Sequence, residues 1–384
     1  MKILLYSHFW APSLGGVETV ASELSAGLAR AEPAKAKRFE VTLVTDTAAG
    51  AFDDRSVPFR VVRQPSLGTW LSELRAADIV ELEGPALLPQ FLAWILRKRV
   101  VLRHHAYQSV CPNGLLVVQT DRSLCPGHFM AGNYAKCVEC NAANMSRSAS
   151  RRSLWLTFPR RWLAKRAKAN VSVSQYVANT VQLTHSSVIW NGVPVAPSEA
   201  AINIATPVRF AFVGRLVHEK GVQVLLRAAA MLAREGRPFE VIVIGDGPER
   251  APLESLVREL QLGSHVRFCG AKRGEDLDAA LDGVAAVVMP SLWAETFGLA
   301  AVEQMMRGRA TIVSDFAGLA EAVGDTGLKF PMGDAGTLAA CMRQIIEDPS
   351  LAARLGAAAR KRAETQLTTA QMCDKTIALY ESLR

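Results

Sequence analysis

The residues with the clearest chemical potential lie in two short stretches of the second half of the chain. In Val213-Gly214-Arg215-Leu216-Val217-His218-Glu219-Lys220-Gly221, Arg215 and Lys220 place two cations five residues apart, in a turn between an expected strand and an expected helix. A diphosphate needs neutralisation of this kind: Arg binds phosphate oxygens with two donors and Lys acts as a point charge. The second stretch, Pro290 to Glu303, follows an apolar run and opens a helix. Glu295 is expected at the start of that helix and Glu303 two turns in, on roughly the same face. Between them the N–H groups of Phe297, Gly298 and Leu299 form a helix N-terminus suited to a phosphate oxygen. A carboxylate at each end of such an anion site is suited to sugar hydroxyls. The bland alternative for the two cations is a pair of solvated surface charges. Two glycine pairs are weaker signals: Gly15-Gly16 comes soon after the first apolar run, and Gly245-Asp246-Gly247-Pro248 reads as a tight turn. Neither is G-x-G-x-x-G with an acidic residue placed for a ribose, which disfavours a nicotinamide enzyme.

Elements that can position these groups recur along the whole chain. With 384 residues, 49% of them hydrophobic and 21% charged, the sequence is of ordinary globular composition and long enough for two or three domains. Short apolar runs alternate with longer amphipathic stretches, which argues for two α/β units. Strands are expected at Ile3–Tyr6, Val41–Thr45, Phe59–Arg63, Asp78–Leu82, Val100–His104, Ala169–Ser174 and Ser187–Trp190 in the first. The second unit is expected to have strands at Arg209–Val213, Glu240–Ile244, Val266–Cys269, Ala286–Met289 and Ala310–Val313. Runs such as Val241-Ile242-Val243-Ile244 suit parallel strands buried on both faces. The turn-forming segment Asn191 to Pro197 marks a boundary. The expected organisation is a first Rossmann-like domain over 1–193, a second over 194–366, and a C-terminal helix, 367–384, packing back on the first. No apolar run reaches the roughly 18–20 residues of a membrane span, and the apolar start is too short for a secretion signal. A soluble, cytoplasmic protein is the expectation.

The net charge of +8 is unevenly distributed. Residues 1–199 hold 23 Lys and Arg against 14 Asp and Glu, and the rest is close to balanced. No acidic residue falls between Glu139 and Glu199, whereas eight cations fall between Arg147 and Lys168, interleaved with Trp155, Leu156, Phe158, Trp162 and Leu163. On composition alone such a block fits an anionic membrane surface or nucleic acid, or simply a solvated helix face. Just before it, in the segment 111–140, lie Cys111, Cys125, Cys137 and Cys140, the last two as a CxxC. Four thiolates fit a structural zinc site, with plain packing as the competing reading. Val101 to Tyr107 puts two imidazoles, His104 and His105, at the end of a buried strand.

Taken together, these residues carry a resemblance. Glu295 and Glu303 form an E-x7-E pair, and Gly15-Gly16-Val17-Glu18, Asn191-Gly192-Val193, Arg215 with Lys220, Gly245-Asp246-Gly247-Pro248, Pro290 to Glu303 and Gly308 follow in order over roughly residues 1–330. The whole chain resembles glycosyltransferase family 4, the retaining GT-B enzymes of glycosyl transferases group 1. The resemblance implies two facing Rossmann-like domains with parallel sheets and a cleft between them. It implies retaining transfer of a sugar from a UDP- or GDP-linked donor to a glycan or lipid-linked acceptor, without a catalytic metal. Arg215 and Lys220 would stabilise the leaving diphosphate, Glu303 would bind the ribose, Glu295 the donor sugar, and Gly16 would approach the diphosphate from the facing domain. His105 matches the functional His of the family, with Ala106 where an Asp is usual, and Glu81 and Glu83 are weaker candidates for acceptor contact. Bacterial surface polysaccharide or lipopolysaccharide assembly, at the inner face of the membrane, is the implied setting, and the basic block then favours membrane over nucleic acid. The alternatives are a GT-B enzyme that epimerises or hydrolyses nucleotide sugars, and a basic nucleic-acid-binding protein on the same scaffold.

Overall fold

The computed structural model describes residues 1–12, 15–31, 39–196 and 204–384, so Pro197, the last residue of the expected linker, lies outside the described residues. The chain divides into two units, Met1–Pro194 together with Thr368–Arg384, and Val195–Leu367.

The first unit is built on seven strands: β1 (Lys2–Ser7), β2 (Glu40–Thr45), β3 (Arg60–Arg63), β4 (Ile79–Leu82), β5 (Arg99–His104), β6 (Ala169–Ser172) and β7 (Ser186–Val188). They form one parallel sheet in the order β3-β2-β1-β4-β5-β6-β7. The central strands are buried along almost their whole length, as continuous apolar runs covered on both faces must be. The C-terminal helix Thr369–Ser382 belongs to this unit. It starts with a capping box between Thr368 and Gln371. It packs on the helix Gly16–Arg30, where Cys373 fills the space beside Gly27.

A buried charge cluster ties that C-terminal helix to the sheet. Arg103 Nε donates to Glu81 Oε1 at 2.7 Å, and Arg103 Nη2 donates to Thr376 Oγ1 at 3.1 Å. The Tyr380 hydroxyl donates to the other oxygen of Glu81. All four groups are inaccessible to solvent, so Glu81 acts in packing, and the acceptor contact expected of it is not open to it. Burial pushes the Glu81 carboxyl up while Arg103 pulls against that, and the two carboxylates Glu81 and Glu83 keep Arg103 charged despite its burial.

The second unit has six strands: β8 (Val208–Val213), β9 (Phe239–Ile244), β10 (Val266–Gly270), β11 (Val284–Met289), β12 (Ala310–Ser314) and β13 (Leu328–Phe330). These too are parallel, in the order β10-β9-β8-β11-β12-β13. The helix Val222–Arg234 buries Val222, Leu225, Leu226 and Leu232 in the core of this unit. Full burial of such a side chain is worth roughly 1.5–3 kcal/mol. Each sheet therefore has one place where the strand order reverses, between β1 and β4 in the first unit and between β8 and β11 in the second. Ligands of open α/β sheets bind outside the carboxyl ends of the strands at such points.

Candidate functional site

The loops that leave β8 and β11 at the reversal point of the second unit carry the residues singled out for donor chemistry. Lys220 Nζ lies 2.7 Å from Glu295 Oε1, and the Ser291 hydroxyl donates to the same oxygen. Lys220 Nζ is also 5.9 Å from the centre of the Trp293 ring. Burial pushes the Glu295 carboxyl up, but Lys220 together with the hydrogen bonds of Ser291 and Trp293 holds the group below the ordinary carboxylate value. An ionised Glu295 thus fixes an ammonium at the mouth of the strand. Arg215, by contrast, is exposed, and its guanidinium makes no hydrogen bond or ion pair among the described residues. It is a cation with free donors a short loop away from a fixed one.

Glycines hold these loops together. Gly221 has φ of +71°, and a Cβ there would lie 1.8 Å from the carbonyl oxygen of Pro290, so only glycine lets the Lys220 turn press against the loop after β11. Leu292 N–H donates to the Glu219 carbonyl at 2.8 Å across the same seam. Gly245 presses equally closely on the carbonyl of Gly214, and Leu216 N–H donates to the Asp246 carbonyl at 2.8 Å. The Gly245–Pro248 turn therefore supports the loop of Arg215.

The helix after β11 starts at the glycine, Gly298, where the sequence places a helical stretch, and so leaves Glu295 ahead of it. It spans Leu299–Met306 with Gly298, at φ of +87°, as its cap. Glu295 consequently lies in the loop before the helix, and Phe297 buries its ring ahead of the cap. Of the three N–H groups expected to face an anion, only those of Gly298 and Leu299 belong to the cap and first turn. Glu303 sits within the helix, half-buried. Burial pushes its carboxyl up and Arg307 opposes this, while Arg307 Nε is itself 2.9 Å from Asp278 Oδ1.

In the first unit, Gly15 caps and Gly16 opens the helix Gly16–Arg30 that follows β1. The two histidines at the end of β5 point to different partners. His104 is fully buried against Asn170 Oδ1 at 3.0 Å, and burial pulls it down to about 4, so it is neutral near pH 7. His105 Nε2 is 2.5 Å from Glu83 Oε2. Ala106 leaves His105 without a carboxylate from its own loop, and Glu83, one residue beyond the end of β4, supplies one. The sequence reading treated Glu83 as a minor candidate. The available signal was that β4 and β5 are adjacent parallel strands, with Leu82 opposite Leu102.

A pocket of about 400 Å³ opens at the carboxyl ends of the strands in this unit, lined among others by Tyr6, Asp46, Trp70, Glu83, Gln108 and Arg160. Apart from Glu83, none of these was singled out from sequence as a lining residue. That Tyr6 and Asp46 end neighbouring strands was the one signal available.

The four clustered cysteines are free thiols, and Cys111, Cys137 and Cys140 are buried. Burial pushes the Cys137 thiol up to about 12, with Cys111, Cys125 and Cys140 adding to the shift, so the four lie within electrostatic reach. Cys111 contacts Asn113 Oδ1 at 3.0 Å, and Gln119 N–H donates to Cys140 Sγ at 3.2 Å. Among the described residues, no group of three or more His, Cys, Asp or Glu side chains is arranged to hold a metal ion.

The basic block forms the helix Arg147–Ala164 and the turn after it. Two of its eight cations do not face solvent freely, contrary to a uniformly solvated or membrane-facing block. Arg160 lines the pocket, and Arg161 donates to the Val181 and Gln182 carbonyls. Trp155 is 73% exposed, and Phe158 and Trp162 are partly so. Trp162 meets Trp94 edge-on at 5.0 Å, which joins this helix to Leu87–Ile95, whose Leu88, Phe91, Trp94 and Ile95 are exposed. Among the described residues, no helix is long and apolar enough to cross a membrane.

Comparison with known proteins bears on the site of the second unit in particular. Residues 198–362 match the family model for glycosyl transferases group 1. The chain is 35% identical over 141 residues to the 2-deoxystreptamine glucosyltransferase of Streptomyces kanamyceticus, covering 36% of each chain. It is 30% identical over 229 residues to the glycogen synthase of Mycobacterium tuberculosis, covering 57% of this chain and 55% of that one. The alignments thus span about a third and about half of these relatives' lengths. The crystal structure of Anabaena HepE in complex with UDP superposes with a TM-score of 0.74 at 19% identity, covering 100% of both chains.

Proposed function

From a chain that has the GT-B fold and carries a glycosyl transferases group 1 domain over residues 198–362, we propose retaining transfer of a sugar from a nucleoside diphosphate donor to a glycan or lipid-linked acceptor. The observation that carries this reading is the paired arrangement at the reversal point of the second sheet, a Lys220 fixed by Glu295 beside an Arg215 with free donors. A preset Lys220 stabilises the charge that develops on a departing diphosphate with little reorganisation, and Arg215 has donors free to join it. Two protein cations at this place supply the charge neutralisation that a divalent metal would otherwise give, and metal-independent transfer is part of this proposal. The cap of the helix Leu299–Met306 offers N–H groups to the same anion, and Glu303 in that helix is assigned to the donor ribose. In this reading Gly15 and Gly16 offer backbone at the start of the first unit's helix, and His105, oriented by Glu83, supports the sugar. HepE was crystallised with UDP, which supports a UDP-linked donor, with GDP as the other base considered. A thermal-shift screen over UDP- and GDP-sugars tests the assignment. A ligand at 100 times its Kd adds about 2.7 kcal/mol of apparent stability, and a screen in which none of them stabilises the protein would remove it.

The setting we propose is the inner membrane surface, in assembly of a bacterial surface polysaccharide or lipopolysaccharide. Support comes from the apolar face shared by the helices Leu87–Ile95 and Arg147–Ala164, flanked by the exposed Arg151, Arg152, Lys165 and Lys168. Each cation near an anionic leaflet contributes ~1 kcal/mol. Replacing these four with Glu is expected to abolish co-sedimentation with anionic vesicles and to leave donor binding unchanged. Equal sedimentation of the variant and the parent would make the block a solvated face.

Structural zinc at Cys111, Cys125, Cys137 and Cys140 is proposed from their spacing, and it requires the buried thiols to lose their protons and turn toward one point. Elemental analysis decides: about one zinc per chain supports the site, and metal-free protein of equal stability returns the cysteines to packing.

A further inference from the structure

The pocket of the first unit contains one cationic side chain, Arg160, with no ion-pair partner among the described residues. Its two carboxylates are both engaged. Asp46 accepts from the Tyr6 hydroxyl at 2.6 Å and lies 2.8 Å from His8 Nδ1. Glu83 faces His105 at 2.5 Å and Arg103 at 3.7 Å. Arg160 reaches the pocket from the helix Arg147–Ala164, and its guanidinium makes no hydrogen bond or ion pair among the described residues. Its Nε is buried without a partner. Burial alone pulls this guanidinium below its ordinary value, with no carboxylate to offset it. Burying the Nε donor without a partner costs free energy, which an anionic ligand at this guanidinium would offset.

The remaining walls indicate what else the ligand presents. Tyr6 and Trp70 are both buried, with ring centres 5.4 Å apart, and close the floor of the pocket, while the exposed Leu88, with Gly84, Pro85 and Ala86, forms its accessible rim. Gln108 adds an amide, and the volume of about 400 Å³ lies within the range of small-ligand pockets. The residues next to Arg160 in sequence, Pro159, Arg161 and Trp162, line a neighbouring apolar hollow together with Phe158 and Lys165. That hollow belongs to the exposed aromatic face of the same helix.

We propose that this pocket receives a phosphate group of the acceptor, with Arg160 as its cationic ligand. The proposal rests on the glycosyl-transfer reading and narrows its acceptor to a phosphorylated one. A phosphate can come from a lipid-linked saccharide, whose chain would run over the Phe158–Trp162 hollow, or from a soluble sugar phosphate. Arg donates two hydrogen bonds to a phosphate in one plane, which a Gln cannot match.

The test uses the full chain and two probes, farnesyl phosphate in detergent micelles and glucose 1-phosphate in buffer, with UDP titrated in parallel by calorimetry. The parent is expected to bind at least one probe, and Arg160→Gln to weaken that binding on the order of 10–100-fold. Arg160→Lys is expected to recover part of the loss, and UDP binding is expected to be the same in all three proteins. Binding of farnesyl phosphate alone identifies a lipid source, and binding of both probes identifies the phosphate itself as the recognised group. A parent that binds neither probe, or an Arg160→Gln variant that binds them as the parent does, overturns the proposal. Failure of the parent to bind UDP instead counts against the glycosyl-transfer reading, so the two failures are distinguishable.

Discussion

Lys220→Ala is expected to lower turnover with the true donor by on the order of 10²–10³, the usual cost of removing one preset donor from a charge that builds up in the transition state. The physical basis is the position of Lys220. Its ammonium is held by Glu295 at 2.7 Å and set beside the Pro290–Gly298 loop by the close approach of Gly221, so little reorganisation is required of it. The variant should fold. Lys220 is about a quarter exposed, and its loss frees Glu295 to accept from Ser291 alone. Steady-state release of nucleoside diphosphate, together with circular dichroism of the same sample, checks both halves of the expectation. Near-parental turnover by a folded variant would take away the electrostatic core of the mechanism.

The largest effect on stability is expected at Arg103. It is fully buried, pairs with Glu81 at 2.7 Å and stands 3.7 Å from Glu83, and it also donates to Thr376 on the C-terminal helix. Arg103→Ala leaves two carboxylates in a dry interior without their counter-charge. Breaking a buried pair from one side costs about 3–5 kcal/mol, because the remaining charge keeps its desolvation penalty. Urea denaturation followed by tryptophan fluorescence should show the drop. Limited proteolysis should cut first at the Thr369–Ser382 helix, which loses the contact through Thr376 and the ordered Glu81 that holds Tyr380. An apolar replacement of the whole set, Arg103→Met with Glu81→Leu and Tyr380→Phe, should recover much of the loss, since the pair itself is not the source of stability. Parental stability of Arg103→Ala would mean that water reaches these groups.

The order and type of the main elements were legible because buried parallel strands leave continuous apolar runs, as in Val241–Ile244 and Val284–Met289. β13 was not, since Leu328-Lys329-Phe330 is three residues long and gives no run to read. The cap at Gly298 moved Glu295 off the helix on which it was expected. A glycine that can take a positive φ suits a helix interior poorly, which agrees with a helical stretch beginning at Gly298 and not at Glu295. Lys220 and Glu295 stood out separately by residue type, but only the fold brings these two, 75 positions apart, into contact. The pocket of the first unit was the least legible feature. Tyr6, Asp46, Trp70, Glu83 and Arg160 come from five separate elements, and no spacing pattern records that they converge. Arg160 in particular was indistinguishable in sequence from the exposed cations around it, although the fold turns it inward.

The central claim is that Arg215 and Lys220 hold a nucleoside diphosphate at the β8–β11 reversal point without a metal. Calorimetric titration of UDP and of GDP into the full chain, in buffer containing EDTA, tests it most directly, with Arg215→Ala and Lys220→Ala run alongside. The account predicts saturable binding of one of the two nucleotides to the parent at one site per chain, weakened at least 10-fold in each variant. Binding that appears only when a divalent metal is restored, or that is unchanged in both variants, would contradict it.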